Sequence, residues 1–288
     1  MHTIPAFYFD ADRLQNLADQ HRESFRVARP FPHVVIDGLL PTDLFRLLIE
    51  EFPRPDDIAW NMHGPGPTRR TDDPKLEKLQ SSDERTFPPF TRHFMGQLNS
   101  SGFLKFLESL TGVEGLVPDP TFNSCGLHST GRGGKLMVHI DGDRHSLGRR
   151  LHQRINAILY VNPDWTEEYG GHLELWDFAT RQCMQRILPV ANRLVVFATG
   201  TRSLHGHPHP LTCPQGRRRN SLAAYYYVLE RPHDDTYEGF QRNAGWVATT
   251  PDDFAVMHAP KERLIHAIKQ ITPPILIDLY RRLIGTSR

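Results

Sequence analysis

Over residues 1–120 the apolar side chains recur mainly at helical spacing, and from about residue 121 they alternate with polar ones. Asp10 is placed to cap a helix opening near Ala11. Val34-Val35-Ile36, closed by Gly38, reads as a short strand. Pro41-Thr42-Asp43 opens a second helix, on which Leu44, Phe45, Leu48, Ile49 and Phe52 form one apolar face. Residues 53–85 are polar and rich in Pro, Gly and Asp, and read as a long loop. Further helices are expected over 91–98 and 102–110, the latter with Phe103, Phe106, Leu107 and Leu110 on one side.

Beyond residue 121, short apolar runs separated by Gly, Pro and Asn predict strands at 123–129, 135–141, 152–161, 172–177, 184–188, 193–198 and 221–229. That many short strands at that spacing point to a sandwich or barrel. After Pro232 the helical period returns, and Pro273-Pro274 opens a last helix with Ile275, Leu276, Leu279 and Leu283 on one face and Gly285 as its C-cap. That stripe is expected to pack on the barrel, with a homodimer face as the alternative. The organisation is therefore one integrated domain in three parts: a helix-rich support (1–120), a β core (121–230) and a C-terminal helical extension (231–288).

Composition narrows the class. Lys plus Arg is 34 and Asp plus Glu is 33, a formal net charge of +1, which argues against nucleic acid or an anionic membrane surface as the main partner. Cys125, Cys183 and Cys213 are odd in number and form no CxxC, so neither a disulfide framework nor a zinc–thiolate site is expected. No secretory signal and no apolar run of membrane-spanning length is evident, which makes a cytoplasmic enzyme the expectation.

Histidine is abundant, at 16, with many copies between His128 and His209. His139-Ile140-Asp141 lies on an expected strand, where residues two apart share a face, so His139 and Asp141 can reach one metal ion together. A second histidine from another strand would complete a set of two imidazoles and one carboxylate that leaves positions open on Fe(II). Chance also supplies this pattern, as His233-Asp234-Asp235 shows, and His172-Leu173-Glu174 is a further candidate pair of cupin type. The first pair is set apart by two segments C-terminal to it. One is a histidine-rich stretch, Ser203-Leu-His205-Gly-His207-Pro-His209-Pro210, and the other is Arg217-Arg218-Arg219-Asn-Ser221-Leu-Ala223, which opens a strand. An inward arginine there can bind a carboxylate through two hydrogen bonds.

Residues 123–230 resemble the 2-oxoglutarate/Fe(II)-dependent oxygenase superfamily, prolyl 4-hydroxylase-like group. The resemblance rests on 134–141 (GKLMVHID), 154–162 (RINAILYVN), 170–176 (GGHLELW), 192–197 (NRLVVF) and His205-Gly-His-Pro followed by Arg219-x-Ser-Leu, in that order. It implies a mainly β fold with flanking helices around a double-stranded β-helix (jelly-roll, cupin-like) core. It implies Fe(II) held by His139, Asp141 and His205, with His207 as the competitor for the third position. Arg219 would pair with the distal carboxylate of 2-oxoglutarate, with Arg217 and Arg218 as alternatives. Tyr160 would donate a hydrogen bond to the same carboxylate, and Asn156 and Ser221 share faces with Tyr160 and Arg219 and complete the cosubstrate set. Ascorbate is a candidate reductant.

The implied activity is hydroxylation of an unactivated C–H bond with release of succinate and CO2. Related halogenases carry a small residue in place of the carboxylate, so Asp141 favours hydroxylation or desaturation. For the acceptor, the absence of a long basic or apolar groove favours a small molecule such as an amino acid or secondary metabolite. Peptidyl-prolyl hydroxylation, a 2-oxoglutarate-independent cupin enzyme using His172 and Glu174, and an inactive β-barrel binding protein are the alternatives.

Overall fold

The computed structural model describes residues 7–63, 78–119, 121–122, 125–142, 145, 151–229 and 245–258. Four helices precede the core: α1 (Ala11–Val27), α2 (Thr42–Glu51), α3 (Pro89–Leu98) and α4 (Ser101–Thr111). Three of the four starts have a local reason in the first turn. The Asp10 side chain accepts from the Arg13 backbone N–H, and Ser100 accepts from that of Phe103, so donors that a helix start leaves orphaned are satisfied. Pro89 stands in the first turn of α3, where its missing N–H costs nothing, and Gly112 ends α4 at φ 73°, a left-handed conformation that suits glycine.

The strands form two antiparallel sheets. The larger has eight strands: β1 (His33–Asp37), β10 (Arg193–Ala198), β7 (His152–Tyr160), β12 (Arg218–Val228), β5 (Gly126–Gly131), β3 (Lys78–Ser81) and β2 (Asn61–His63) lie side by side in that order, and β4 (Val117–Pro118) pairs with β12. The smaller has five, in the order β13 (Gly245–Val247), β6 (Leu136–Ile140), β11 (Leu204–His207), β8 (Leu173–Trp176) and β9 (Cys183–Ile187). This is the double-stranded β-helix that the pattern of short strands and the resemblance implied.

Strand alternation divides the larger sheet between two environments. Ile155, Ala157 and Leu159 of β7, Leu194 and Val196 of β10, and Leu222, Ala224 and Tyr226 of β12 pack with Leu14, Phe45, Phe94, Phe103 and Phe106 of the helices. The opposite face carries Tyr160, Val195 and Phe197, which meet Leu173, Leu175 and Ile187 of the smaller sheet. The helices thus close one face of the larger sheet, and the other face is left to line the barrel.

Several elements differ from the sequence expectation. The stretch 53–85 contains β2 and β3, which extend the larger sheet beyond β5; their apolar content is too low to signal strands, and it is pairing with β5 that makes them so. β11 is a strand where only a histidine-rich segment was evident, because Gly206 and two histidines carry little strand propensity. After Pro232 the helical expectation is corrected at Gly245–Val247, which pairs with β6 as β13, while α5 (Pro251–His258) is helical. The buried ion pair Lys135–Asp253, 2.8 Å long, fastens α5 beside the start of β6. His233–Asp235 and the helix expected after Pro273 lie outside the described residues. No helix among the described residues is long and apolar enough to cross a membrane.

Candidate active site

The two sheets bring His139 and Asp141, from β6 and the residues just beyond it, opposite His205 of β11. His139 and His205 are direct cross-strand partners, with ring centroids 4.5 Å apart. His139 Nε2 lies 3.3 Å from Asp141 Oδ1, and His205 Nε2 lies 3.6 Å from Asp141 Oδ2. Their ligating atoms all fall within 4.8 Å of one another, the one such cluster of His, Cys, Asp or Glu among the described residues.

The outward side of each ring is also fixed. His139 Nδ1 lies 2.9 Å from the Met137 carbonyl, and His205 Nδ1 lies 2.9 Å from the Ser203 carbonyl. A carbonyl only accepts, so each Nδ1 carries a proton and each Nε2 is the ring nitrogen turned to the shared centre. Burial pushes His205 down to about 4, only partly opposed by Asp141, so the ring is neutral as a ligand must be. Burial alone would raise Asp141, but His205, His139 and Asn156 bring its pKa well below the usual carboxylate range. Two imidazoles and a carboxylate on one side of a buried point are a donor set that fits Fe(II).

Around this cluster, Asn156 donates to Asp141 Oδ2 at 2.7 Å and Gln153 donates to the same oxygen at 3.1 Å. Gln153 also donates to Asn156 Oδ1 at 2.6 Å. Asn156, expected at the cosubstrate, thus donates one amide hydrogen to Asp141 and accepts from Gln153, and so helps to orient the carboxylate. Trp246 of β13 stacks on the His139 ring at 4.9 Å, and the Phe197 ring lies 4.8 Å from that of His205.

Arg219 enters from β12 and is buried. Its Nε donates to the Gly171 carbonyl at 2.6 Å and a terminal nitrogen donates to Tyr160 Oη at 3.0 Å. Burial raises the Tyr160 pKa while Arg219 opposes it, so the phenol stays protonated. Ser221, on the same face, is the cross-strand partner of Tyr160 and is also buried. The neighbouring arginines turn elsewhere: Arg218 binds Ser129 Oγ at 2.7 Å, and Arg217 binds the Pro163 carbonyl and lies over the Tyr169 ring. His207 is buried beside His205 but outside the ligand cluster. His172 pairs with Glu167 at 2.7 Å and Glu174 binds Trp176, and the two meet at the Arg186 guanidinium, not in a metal-ligand cluster.

Two glycines permit this arrangement. A Cβ on Gly206 would lie 2.7 Å from the Met137 carbonyl oxygen and 2.9 Å from that of Leu136, where β11 and β6 shift register between His205 and His207. Gly171, at φ 70°, would bring a Cβ to 2.4 Å from Leu211 and 3.0 Å from Arg219. Gly206→Ala is expected to force β11 off β6, destabilising the fold by about 1–3 kcal/mol and lowering metal affinity. Thermal melting and metal content after dialysis check this, with Gly96→Ala on open space in α3 as the control. A variant as stable and as metal-rich as the parent would show that the close approach is not needed.

Sequence reasoning missed Gln153 and Trp246. Strict alternation puts Gln153 on the helix-facing side with Ile155, but a bulge opposite Tyr226 and Tyr227 turns it inward. Trp246 stands on a strand that only pairing with β6 creates.

Comparison with known proteins agrees with this picture. Residues 125–227 match the 2OG-Fe(II) oxygenase superfamily. The β core is thus similar to the 2OG-Fe(II) oxygenase superfamily, a family that uses Fe(II) and 2-oxoglutarate, and its His139–Asp141–His205 cluster suits such a metal. The chain is 27% identical over 247 residues to mouse (Mus musculus) prolyl 3-hydroxylase OGFOD1, covering 81% of this chain and 42% of that one, so it spans less than half the length of this relative. The fold is similar to that of a Trichoplax adhaerens prolyl hydroxylase in complex with a hypoxia inducible factor peptide fragment (TM-score 0.52, 16% identity, covering 75% of this chain and 91% of that one).

Proposed function

We propose that this chain, whose core is similar to the 2OG-Fe(II) oxygenase superfamily, hydroxylates a prolyl residue of a polypeptide at the expense of 2-oxoglutarate and O2. The observation that carries the reading is the convergence of His139, Asp141 and His205 inside one barrel with the buried Arg219–Tyr160 pair. His139 Nε2, His205 Nε2 and an Asp141 oxygen would hold the metal. When bound, Fe(II) supplies the redox chemistry that couples conversion of 2-oxoglutarate and O2 into succinate and CO2 to insertion of one oxygen atom into a substrate C–H bond.

The protein's part is binding and orientation. Arg219 offers a guanidinium to the distal carboxylate, Tyr160 offers a phenol beside it, and Gly171 holds the guanidinium in place. Asn156 and Gln153 fix the Asp141 carboxylate, and the carbonyls of Met137 and Ser203 fix the two rings. Val195, Phe197, Leu173 and Leu175 keep the surroundings dry. The presence of Asp141, where related halogenases have a small residue, supports oxygen insertion over halogenation.

For the acceptor, the small-molecule preference gives way to the peptidyl-prolyl alternative. What supports the change is the similarity over 81% of the chain to a protein named as a prolyl 3-hydroxylase. The test is to supply Fe(II), 2-oxoglutarate and O2 with proline-containing peptides, or with free proline and other amino acids, and to measure succinate and the mass of the acceptor. Peptide-stimulated succinate with a gain of one oxygen on proline is expected. Stimulation by small molecules alone would reject the polypeptide acceptor. Absence of both 2-oxoglutarate turnover and 2-oxoglutarate binding would reject the activity.

A further inference from the structure

The barrel interior holds more cationic capacity than one arginine provides. Lys78 of β3 is opposite Thr130 of β5, and Thr130 is opposite Arg219 of β12. Directly opposed residues in antiparallel strands point to the same side, so Lys78, Thr130 and Arg219 form one row across three strands of the interior face. Neighbouring strands are about 4.8 Å apart, which puts the Lys78 and Arg219 backbones about 10 Å from each other. Two long side chains spanning that gap can meet on one small ligand.

Lys78 lacks a described anion. Its ammonium makes no hydrogen bond or ion pair with a described residue. Burial pushes its pKa down to about 8, with Arg219 pushing the same way and Asp141 opposing. His207 adds an independent observation: it is buried and both its ring nitrogens lack a protein hydrogen-bond partner. Its surroundings include Arg219 and Lys78. A buried arginine, a half-buried lysine and an unsatisfied buried imidazole in one region are costly unless an anion with several acceptor oxygens joins them.

We propose that Lys78 is a cosubstrate-binding residue which, with Arg219 and beside His207, clamps the distal carboxylate of 2-oxoglutarate between two cations. The inference rests on the oxygenase reading of the site. The row position decides which carboxylate is meant. Asn156, which holds Asp141, is the partner of Tyr225, and Arg219 lies six residues back along β12 from Tyr225. At about 3.3 Å per residue, the Lys78 backbone therefore stands in the Arg219 row, while its ammonium is still near enough to Asp141 and His205 to act on both.

The experiment measures binding as well as turnover. 2-Oxoglutarate and 2-oxobutanoate, which lacks the distal carboxylate, are titrated calorimetrically into Mn(II)-loaded protein, using the parent chain, Lys78→Met and Lys78→Arg. For Lys78→Met the Kd for 2-oxoglutarate is expected to rise at least tenfold while that for 2-oxobutanoate stays unchanged, and Lys78→Arg is expected to recover part of the loss. Equal binding of 2-oxoglutarate by the parent and Lys78→Met overturns the proposal, as does equal weakening of both acids, which would put Lys78 at the metal end or implicate the fold. Thermal melting of Lys78→Arg guards against a folding defect. If the parent itself fails to bind 2-oxoglutarate, the oxygenase reading falls; if only the Lys78 variants behave like the parent, that reading stands and the clamp falls.

Discussion

Asp141→Ala is expected to abolish stoichiometric iron binding and to lower 2-oxoglutarate turnover by well over about a hundredfold. The floor comes from metal sites in general, where removing even an outer hydrogen-bond partner of a ligand costs about 10–100-fold. Asp141 is placed deeper in the arrangement than such a partner, since both imidazole Nε2 atoms approach its carboxylate. The substitution also strands the amides of Asn156 and Gln153, both aimed at the missing oxygen. Metal analysis after dialysis and a succinate assay provide the measurement. Asn156→Ala should show the smaller loss typical of an outer partner, and His172→Ala should leave iron content unchanged because His172 faces Glu167. Retention of iron by Asp141→Ala, or its loss in His172→Ala, would move the metal centre elsewhere.

The second large effect is expected at Arg219. Truncating one member of a buried, charged hydrogen-bonded set costs about 2–5 kcal/mol, so Arg219→Met should raise the KM for 2-oxoglutarate by about 30-fold or more. Iron content should be retained, because Arg219 contacts Gly171 and Tyr160 and none of the three clustered ligand residues. Arg219→Lys keeps the charge but cannot reach Gly171 and Tyr160 with one planar fork, so it should restore only part of the affinity. Arg218→Met, by contrast, removes a side chain committed to Ser129 and should leave the KM near that of the parent. An unchanged KM in Arg219→Met, or an equal rise in Arg218→Met, would reassign the carboxylate site.

Much of this arrangement can be traced to local rules. The convergence of His139 with Asp141 follows from strand period alone, since residues two apart share a face. The same rule separates Asn156, Ile158 and Tyr160 from Ile155, Ala157 and Leu159, and the structure puts the second set against the helices. Alternation also separates Arg219, which shares a face with Ser221, from Arg218, which binds Ser129 on the other side, whereas Arg217 precedes the strand and is set apart by its contact with the Pro163 carbonyl. The caps of α1 and α4 follow from Asp10 and Ser100, whose side chains accept from backbone donors three residues on.

Other features have no local signal. Asn156 and Tyr160 share a face, so a cosubstrate contact is a reasonable expectation for both. Which side chain meets the carboxylate of Asp141 depends on how far apart the sheets lie, and that places Asn156 on Asp141 and Tyr160 on Arg219.

The helix caps, the two-faced strands, the His139–Asp141 pair and the inward turn of Arg219 are therefore legible in the sequence, because each depends on backbone periodicity or on neighbours a few residues away. The rest is settled by the assembled fold. Pairing with β5 makes strands of the polar segment that carries Lys78, and pairing with β6 brings Trp246 onto His139. A bulge reverses the face of Gln153, and close approach at Gly206 accompanies the pairing of His205 with His139. Those outcomes are set by contacts between residues distant along the chain, where inter-strand hydrogen bonds and packing outweigh what any local stretch prefers.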